Sequence, residues 1–233
     1  FDTVLVGDTD NWTHPPLEAT WVATDDGHTH VYGRGTSDMK GGLVSQLAML
    51  KYLHDHDSPL RKDILLVVSC QEEEGIRGAR DFVEQHGAML SGAEVVVVDE
   101  PTNLNVGISE KGDVLLRVTC HGKAAHGSRP ELGVNAIEGM MLFIEWLQHA
   151  LPYSVDPYNK TTLNVGKMDG GQSINVVPEC CTAWLDIRIS SFFTVQDVIN
   201  KVESIIDTVH KTTKFRFEWV EEGRMESVHT DPH

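Results

Sequence analysis

The chain has 233 residues, 40% of them hydrophobic, enough for one large domain or two of ordinary size. Its 19 basic and 35 acidic residues give a net charge of −16. That balance argues against non-specific nucleic-acid binding, which relies on Lys and Arg to neutralise phosphates. No apolar run approaches the ~20 residues that span a bilayer.

Phe1-Asp2-Thr3-Val4 lacks the basic and apolar parts of a secretory leader and begins without Met, which predicts an origin inside a longer chain. Residues 1–35, rich in Asp, Thr, Pro and Gly, predict loop with short strands. From Gly41 to His54, Leu43, Leu47, Leu50 and Leu53 recur at helical spacing. Asp63 to Cys70 is a continuous apolar run of the kind found in strands buried on both faces. A helix is predicted from Gly78 to His86, and a second buried strand from Ala93 to Val98. This alternation indicates an α/β layer with a mostly parallel sheet.

Beyond about residue 108 the texture changes. Asp113 to His121 interleaves polar and apolar residues as a half-buried strand does. Gly133 to Leu151 predicts an amphipathic helix with Ile137, Met140, Met141, Ile144 and Leu147 on its apolar side. Strands follow at Thr161–Lys167 and Glu179–Ile189, then a helix from Thr194 to Lys211 and a last strand from Lys214 to Val220. The order β-α-β-β-α-β is that of a ferredoxin-like sandwich. Two domains are therefore expected, with a boundary near 106–112. Cys70, Cys120, Cys180 and Cys181 contain no CxxC pair and read as small buried hydrophobes in a reducing compartment.

Carboxylates recur where they need explaining. Asp38 lies in the Gly-rich segment Gly33–Gly42, which lacks the Lys-Ser/Thr ending of a phosphate-binding P-loop; Asp38 either serves a site or caps the helix starting near Met39. Glu72, Glu73 and Glu74 follow the first apolar run directly. Adjacent carboxylates repel, and a divalent cation relieves this while leaving one of them free as a general base. The alternative is a solvated acidic loop. Glu100 ends the second apolar run in the same way, and ligands of open α/β sheets gather at the carboxyl ends of strands.

Five segments in order now carry a resemblance: the Gly33–Gly42 loop, Glu72-Glu73-x-Gly75, Glu100-Pro101-Thr102, Gly122-Lys123-Ala124-Ala125-His126 and Asn175-Val176-Val177-Pro178. The chain resembles the acetylornithine deacetylase, succinyl-diaminopimelate desuccinylase and carboxypeptidase G family of co-catalytic zinc hydrolases. The resemblance implies a zinc-peptidase-like α/β catalytic domain over 1–107 and a start of return to it at 223–233. Between them it implies an inserted ferredoxin-like α+β lid and dimerisation domain over 108–222.

By the same resemblance, Asp38 bridges two Zn2+ ions (Co2+ may substitute), Glu73 ligates one, Glu100 the other, and Glu72 is the general base. Asp2 is the acid behind a histidine ligand, and His126 reaches a neighbouring subunit's active site to stabilise the oxyanion. Alone, His126 would read as an ordinary loop residue. Asn175 and Arg188 hold the substrate's carboxylate, although Arg188 also suits an ion pair on a strand face. Two further histidine ligands are expected outside the 233 residues, one before Phe1 and one after His233. The expected protein is a cytoplasmic, metal-dependent hydrolase of N-acyl amino acids, homodimeric through its lid, with no nucleic-acid or membrane partner. A dipeptidase or aminoacylase, or a non-catalytic piece lacking the histidines, is the alternative.

Overall fold

The computed structural model describes residues 3–25, 27–73, 75–151 and 159–230. The chain divides into two compact units between Val106 and Gly107.

In the first unit, β1 (Thr20–Ala23) and β2 (Thr29–Tyr32) pair antiparallel as a hairpin. A tight turn at Thr36–Lys40 leads into helix α1 (Gly41–Asp55), and α2 follows at Arg77–His86. Both helices fall where their periodicity predicts. The two apolar runs do not behave as predicted. Among the described residues, 63–70 and 93–98 join no strand ladder, and no parallel pair is present. Val95 to Val98 are exposed, with Val95 at 76%. An apolar run carries a preference for burial, but a strand exists only through the neighbours that satisfy its N–H and C=O groups. None of the Leu43, Leu47, Leu50 and Leu53 side chains is fully buried, Leu47 remaining half exposed.

The second unit holds the chain's core. A short pair joins β3 (Ser109–Glu110) to β8 (Val228–His229), and between them lie β4 (Gly112–His121), α3 (Ala136–Ala150), β5 (Thr162–Gly170), β6 (Cys180–Ile189), α4 (Val195–Thr212) and β7 (Arg216–Met225). The four long strands form one antiparallel sheet in the order β5-β6-β4-β7. This is the ferredoxin-like arrangement that the element order predicts.

Alternation decides which face each strand buries. Val114, Leu116, Val118 and Cys120 of β4 are buried, as are Cys181, Ala183, Leu185, Ile187 and Ile189 of β6. Helix α4 covers them with Val195, Val198, Val202 and Val209 at helical spacing. Helix α3 presents Ala136, Gly139, Met140, Phe143 and Leu147, while Met141 points to solvent. The predicted apolar side was thus rotated by part of a turn. Gly139 explains why: a Cβ there would collide with Phe215 and the Cys120 sulfur, so the helix settles with its glycine against the strands. Phe143 meets Phe217 with ring centroids 5.1 Å apart. Among the described residues of the second unit, the opposite face of the sheet, carrying Asp113, Arg117, Trp184, Asp186 and Arg188, lies away from the buried residues that α3 and α4 cover.

All the cysteines are free; Cys120 and Cys181 are buried as expected, whereas Cys70 and Cys180 are exposed. Among the described residues, no helix is long and apolar enough to cross a membrane.

Candidate active site

Asp38 precedes α1 and Glu72 and Glu73 precede α2, while Glu100 lies on an irregular segment. Asp38 has extended backbone angles (φ −116°, ψ 103°) within the turn before α1, and its peptide to Met39 is cis. It does not cap α1, whose cap position, Lys40, makes no side-chain cap bond. The alternative of a structural cap is therefore not what the fold uses. Gly35 takes a left-handed φ of +76°, and its carbonyl accepts from the Lys40 amide at 3.0 Å, which closes the turn.

Glu72 and Glu73 sit in a loop clasped at its base. The Gly78 amide donates to the Cys70 carbonyl and the Arg77 amide to the Gln71 carbonyl, both at 3.0 Å, and the Ile76 amide donates to the Glu72 carbonyl at 2.8 Å. Both side chains are exposed, just ahead of the N-terminus of α2, where the helix dipole favours negative charge. Glu100 is exposed too. The start of α1 packs tightly on the neighbouring residue: a Cβ at Gly42 would overlap the Asp99 backbone and side chain. The first turn of the helix that follows Asp38 therefore lies against the residue before Glu100.

Carboxylate oxygens are proper ligands for Zn2+, at ~2.0–2.2 Å. In donor chemistry these residues suit a divalent cation; in number they do not complete a centre. Among the described residues, no three His, Cys, Asp or Glu side chains stand together as metal ligands. Asp2 lies outside the described residues.

In the second unit the fold brings two predicted residues together. His126 and Val176 form an isolated antiparallel bridge, the Gly127 amide donates to the Asn175 carbonyl at 2.7 Å, and the Val177 amide to the Ala125 carbonyl at 2.8 Å. The segments bearing His126 and Asn175 are thus stitched backbone to backbone. The Ser128 amide donates to His126 Nδ1 at 3.2 Å, and the Ser128 hydroxyl lies 2.8 Å from the same nitrogen. With Nδ1 accepting, the network places the neutral ring's proton on Nε2, where it can be donated outward. Asn175 Oδ1 accepts from the Ser173 hydroxyl at 2.5 Å, which leaves the Nδ2 protons available.

Arg188 stands elsewhere, on the face of β6 opposite α3 and α4. Its Nε and Nη2 donate to Asp186 Oδ1 and Oδ2 at 2.8 and 3.1 Å. The strand-face ion pair is therefore real. Hydrogen bonding by Asp186 is the main cause that raises the Arg188 pKa above its ordinary value, with Asp113 adding attraction. Ser128, Ser173 and Asp186 were missed at the level of sequence. For Asp186 a signal was present, since residues two apart on a strand share a face.

Comparison with known proteins fits this geometry. An M20 family metallo-carboxypeptidase from Sulfolobus solfataricus superimposes with a TM-score of 0.67 at 19% identity, over 93% of this chain and 62% of that one. A tripeptidase from Staphylococcus aureus gives 0.66 at 21% identity, over 93% and 57%. Residues 108–214 match the peptidase dimerisation domain, and residues 10–109 match peptidase family M28. The chain has an M20-type peptidase fold with its dimerisation domain.

Proteins of Staphylococcus aureus strains Mu50 and N315, each named a probable succinyl-diaminopimelate desuccinylase, are 29% identical to this chain over 239 residues. The match covers 87% of this chain and 58% and 56% of those proteins. The chain therefore spans a little over half the length of the curated relatives it matches. The resemblance carried by the five ordered motifs is borne out.

Proposed function

We propose that this protein is a metal-dependent hydrolase that cleaves the amide bond of an N-acyl amino acid, of the deacetylase or desuccinylase type. The observation that carries the reading is the match to desuccinylase-named relatives across 87% of the chain. Residues 1–107 act as the catalytic part, 108–222 as lid and dimerisation domain, and 223–233 as the return. The match of residues 108–214 to a peptidase dimerisation domain supports a homodimer formed through the second unit. Its setting is the cytoplasm, where four free thiols stay reduced.

Asp38, Glu73 and Glu100 would hold a pair of divalent cations, Zn2+ or Co2+, with Asp38 as the carboxylate common to both and Asp2 behind a histidine ligand. Such ions, when bound, polarise a carbonyl and acidify a water. Glu72 takes the proton of the attacking water onto its carboxylate. His126 donates its Nε2 proton to the oxygen that gains charge in the tetrahedral intermediate. Asn175 Nδ2 and the Arg188 guanidinium hold the substrate's free carboxylate, for which the planar fork of Arg is suited.

The test is a hydrolysis screen of the complete reading frame containing this chain. N-acetyl and N-succinyl amino acids and dipeptides are offered with added zinc or cobalt. Metal-dependent release of the acyl group is expected. Cleavage of dipeptides alone would reassign the protein as a peptidase, and no hydrolysis of any of them would overturn the reading.

A further inference from the structure

The face of the sheet opposite α3 and α4 shows how Arg188 is prepared for a ligand. Asp186 and Arg188 are two apart on β6 and share that face; Asp113 and Thr162 are the cross-strand neighbours of Arg188. The guanidinium has five N–H donors, and Asp186 engages it side-on through Nε and one proton of Nη2. Asp186 thus leaves one proton on each of Nη1 and Nη2 along the outer end, which is the edge that grips a carboxylate with two parallel bonds. The Arg188 side chain is 52% exposed and that of Asp186 31%.

We propose that Asp186 is a positioning residue: it fixes the Arg188 guanidinium so that its free edge is held ready for the substrate's carboxylate. The proposal rests on the reading of Arg188 given above. Asp186 does not compete with the substrate, because the two carboxylates occupy different edges of one cation. Without Asp186 the long side chain samples many rotamers, and the substrate must order it on binding. The face where this takes place belongs wholly to the second unit.

The full-length, metal-loaded enzyme tests this with an N-succinyl amino acid that it hydrolyses and the same compound with its amino-acid carboxylate converted to carboxamide. Asp186→Asn should raise KM for the carboxylate substrate about tenfold and leave kcat within about twofold, since the lost interaction serves ground state and transition state alike. KM for the carboxamide should not move, and Asp186→Glu should recover part of the loss. An Asp186→Asn enzyme with unchanged or lower KM, beside an Arg188→Ala enzyme whose KM rises, would overturn the positioning role and leave Arg188 in place. If Arg188→Ala itself leaves the preference for carboxylate intact, the assignment of Arg188 fails, and the role of Asp186 with it.

Discussion

The amide of Gly127 donates to the carbonyl of Asn175 at 2.7 Å, and the two backbones pass so close that a Cβ at position 127 would lie 2.9 Å from that carbonyl oxygen. Real Cβ atoms do not approach that near, so one segment must move. Gly127→Ala should therefore destabilise the second unit by about 1–3 kcal/mol, as overpacking does. Urea unfolding followed by circular dichroism measures it. His126→Ala, one residue away, removes an exposed ring whose hydrogen bonds run to Ser128, and should leave the unfolding midpoint nearly unchanged. A large loss of stability in His126→Ala would show that the ring serves the fold.

Glu72→Gln keeps the shape of the side chain but removes its capacity to take a proton. In the full-length enzyme, kcat should drop by about 10²–10⁴, the usual contribution of a general base. Bound metal, read by elemental analysis, should be retained, because Glu73 and not Glu72 is assigned as the ligand. Unchanged turnover would sink the assignment, and loss of metal would exchange the two roles.

The second unit could be read from its residues because its structure is written locally. Val114, Leu116, Val118 and Cys120 alternate with Asp113, Leu115, Arg117 and Thr119, which sets the buried face of β4 without reference to any other segment. The helix-to-strand order then leaves few ways to close the sheet. The first unit was less legible. Val95 to Val98 look as apolar as any buried strand, but which segments pair with them is a non-local fact that no run of valines records. The site shows the same division. Asp38, Glu72, Glu73 and Glu100 stand out by chemistry and motif, and His126 and Asn175 by motif. Their partners Ser128 and Ser173 become visible only when the structure shows what each side chain touches, whereas Asp186, two residues before Arg188 on one strand, shares its face by alternation.

Phe143 tests how much of the stability lies in that second unit. It is fully buried and packs on Phe217. Phe143→Ala should cost about 3–5 kcal/mol from lost burial and the cavity left behind. A midpoint shift in urea with unchanged slope would report this; a cost below about 1 kcal/mol would mean that the core closes around the gap.

The thiols should divide by burial. Cys120 lies opposite Cys181 across β4 and β6, and burial, reinforced by the other two sulfurs nearby, pushes its pKa up to about 12. Burial likewise raises that of Cys181. The thiolate is the reactive form, so both should resist a thiol reagent at neutral pH while the exposed Cys70 and Cys180 react. Titration with an aromatic disulfide before and after denaturation counts the two classes. Rapid reaction of all four in the folded protein would contradict the packing of Gly139 against Cys120.

Helix α4 begins with a capping box whose stability should depend on pH. The Thr194 amide and hydroxyl each donate to Asp197 at 2.8 Å, and Thr194 Oγ1 accepts from the Asp197 amide at 3.1 Å. The bond from the Thr194 backbone, followed by that from its side chain, holds the Asp197 carboxyl below its ordinary value. A carboxyl whose native pKa lies below its unfolded one stabilises the fold above the unfolded value, ~3.9, and that contribution fades as pH falls through the native value. Asp197→Asn should therefore be less stable than the parent at neutral pH. The difference should narrow as the medium is acidified from about pH 7 to about pH 3, because protonation removes the same charge from the parent. Urea midpoints across that range decide it: a gap that stays constant would mean that the charge of Asp197 plays no part, and that the cap acts through Thr194 alone.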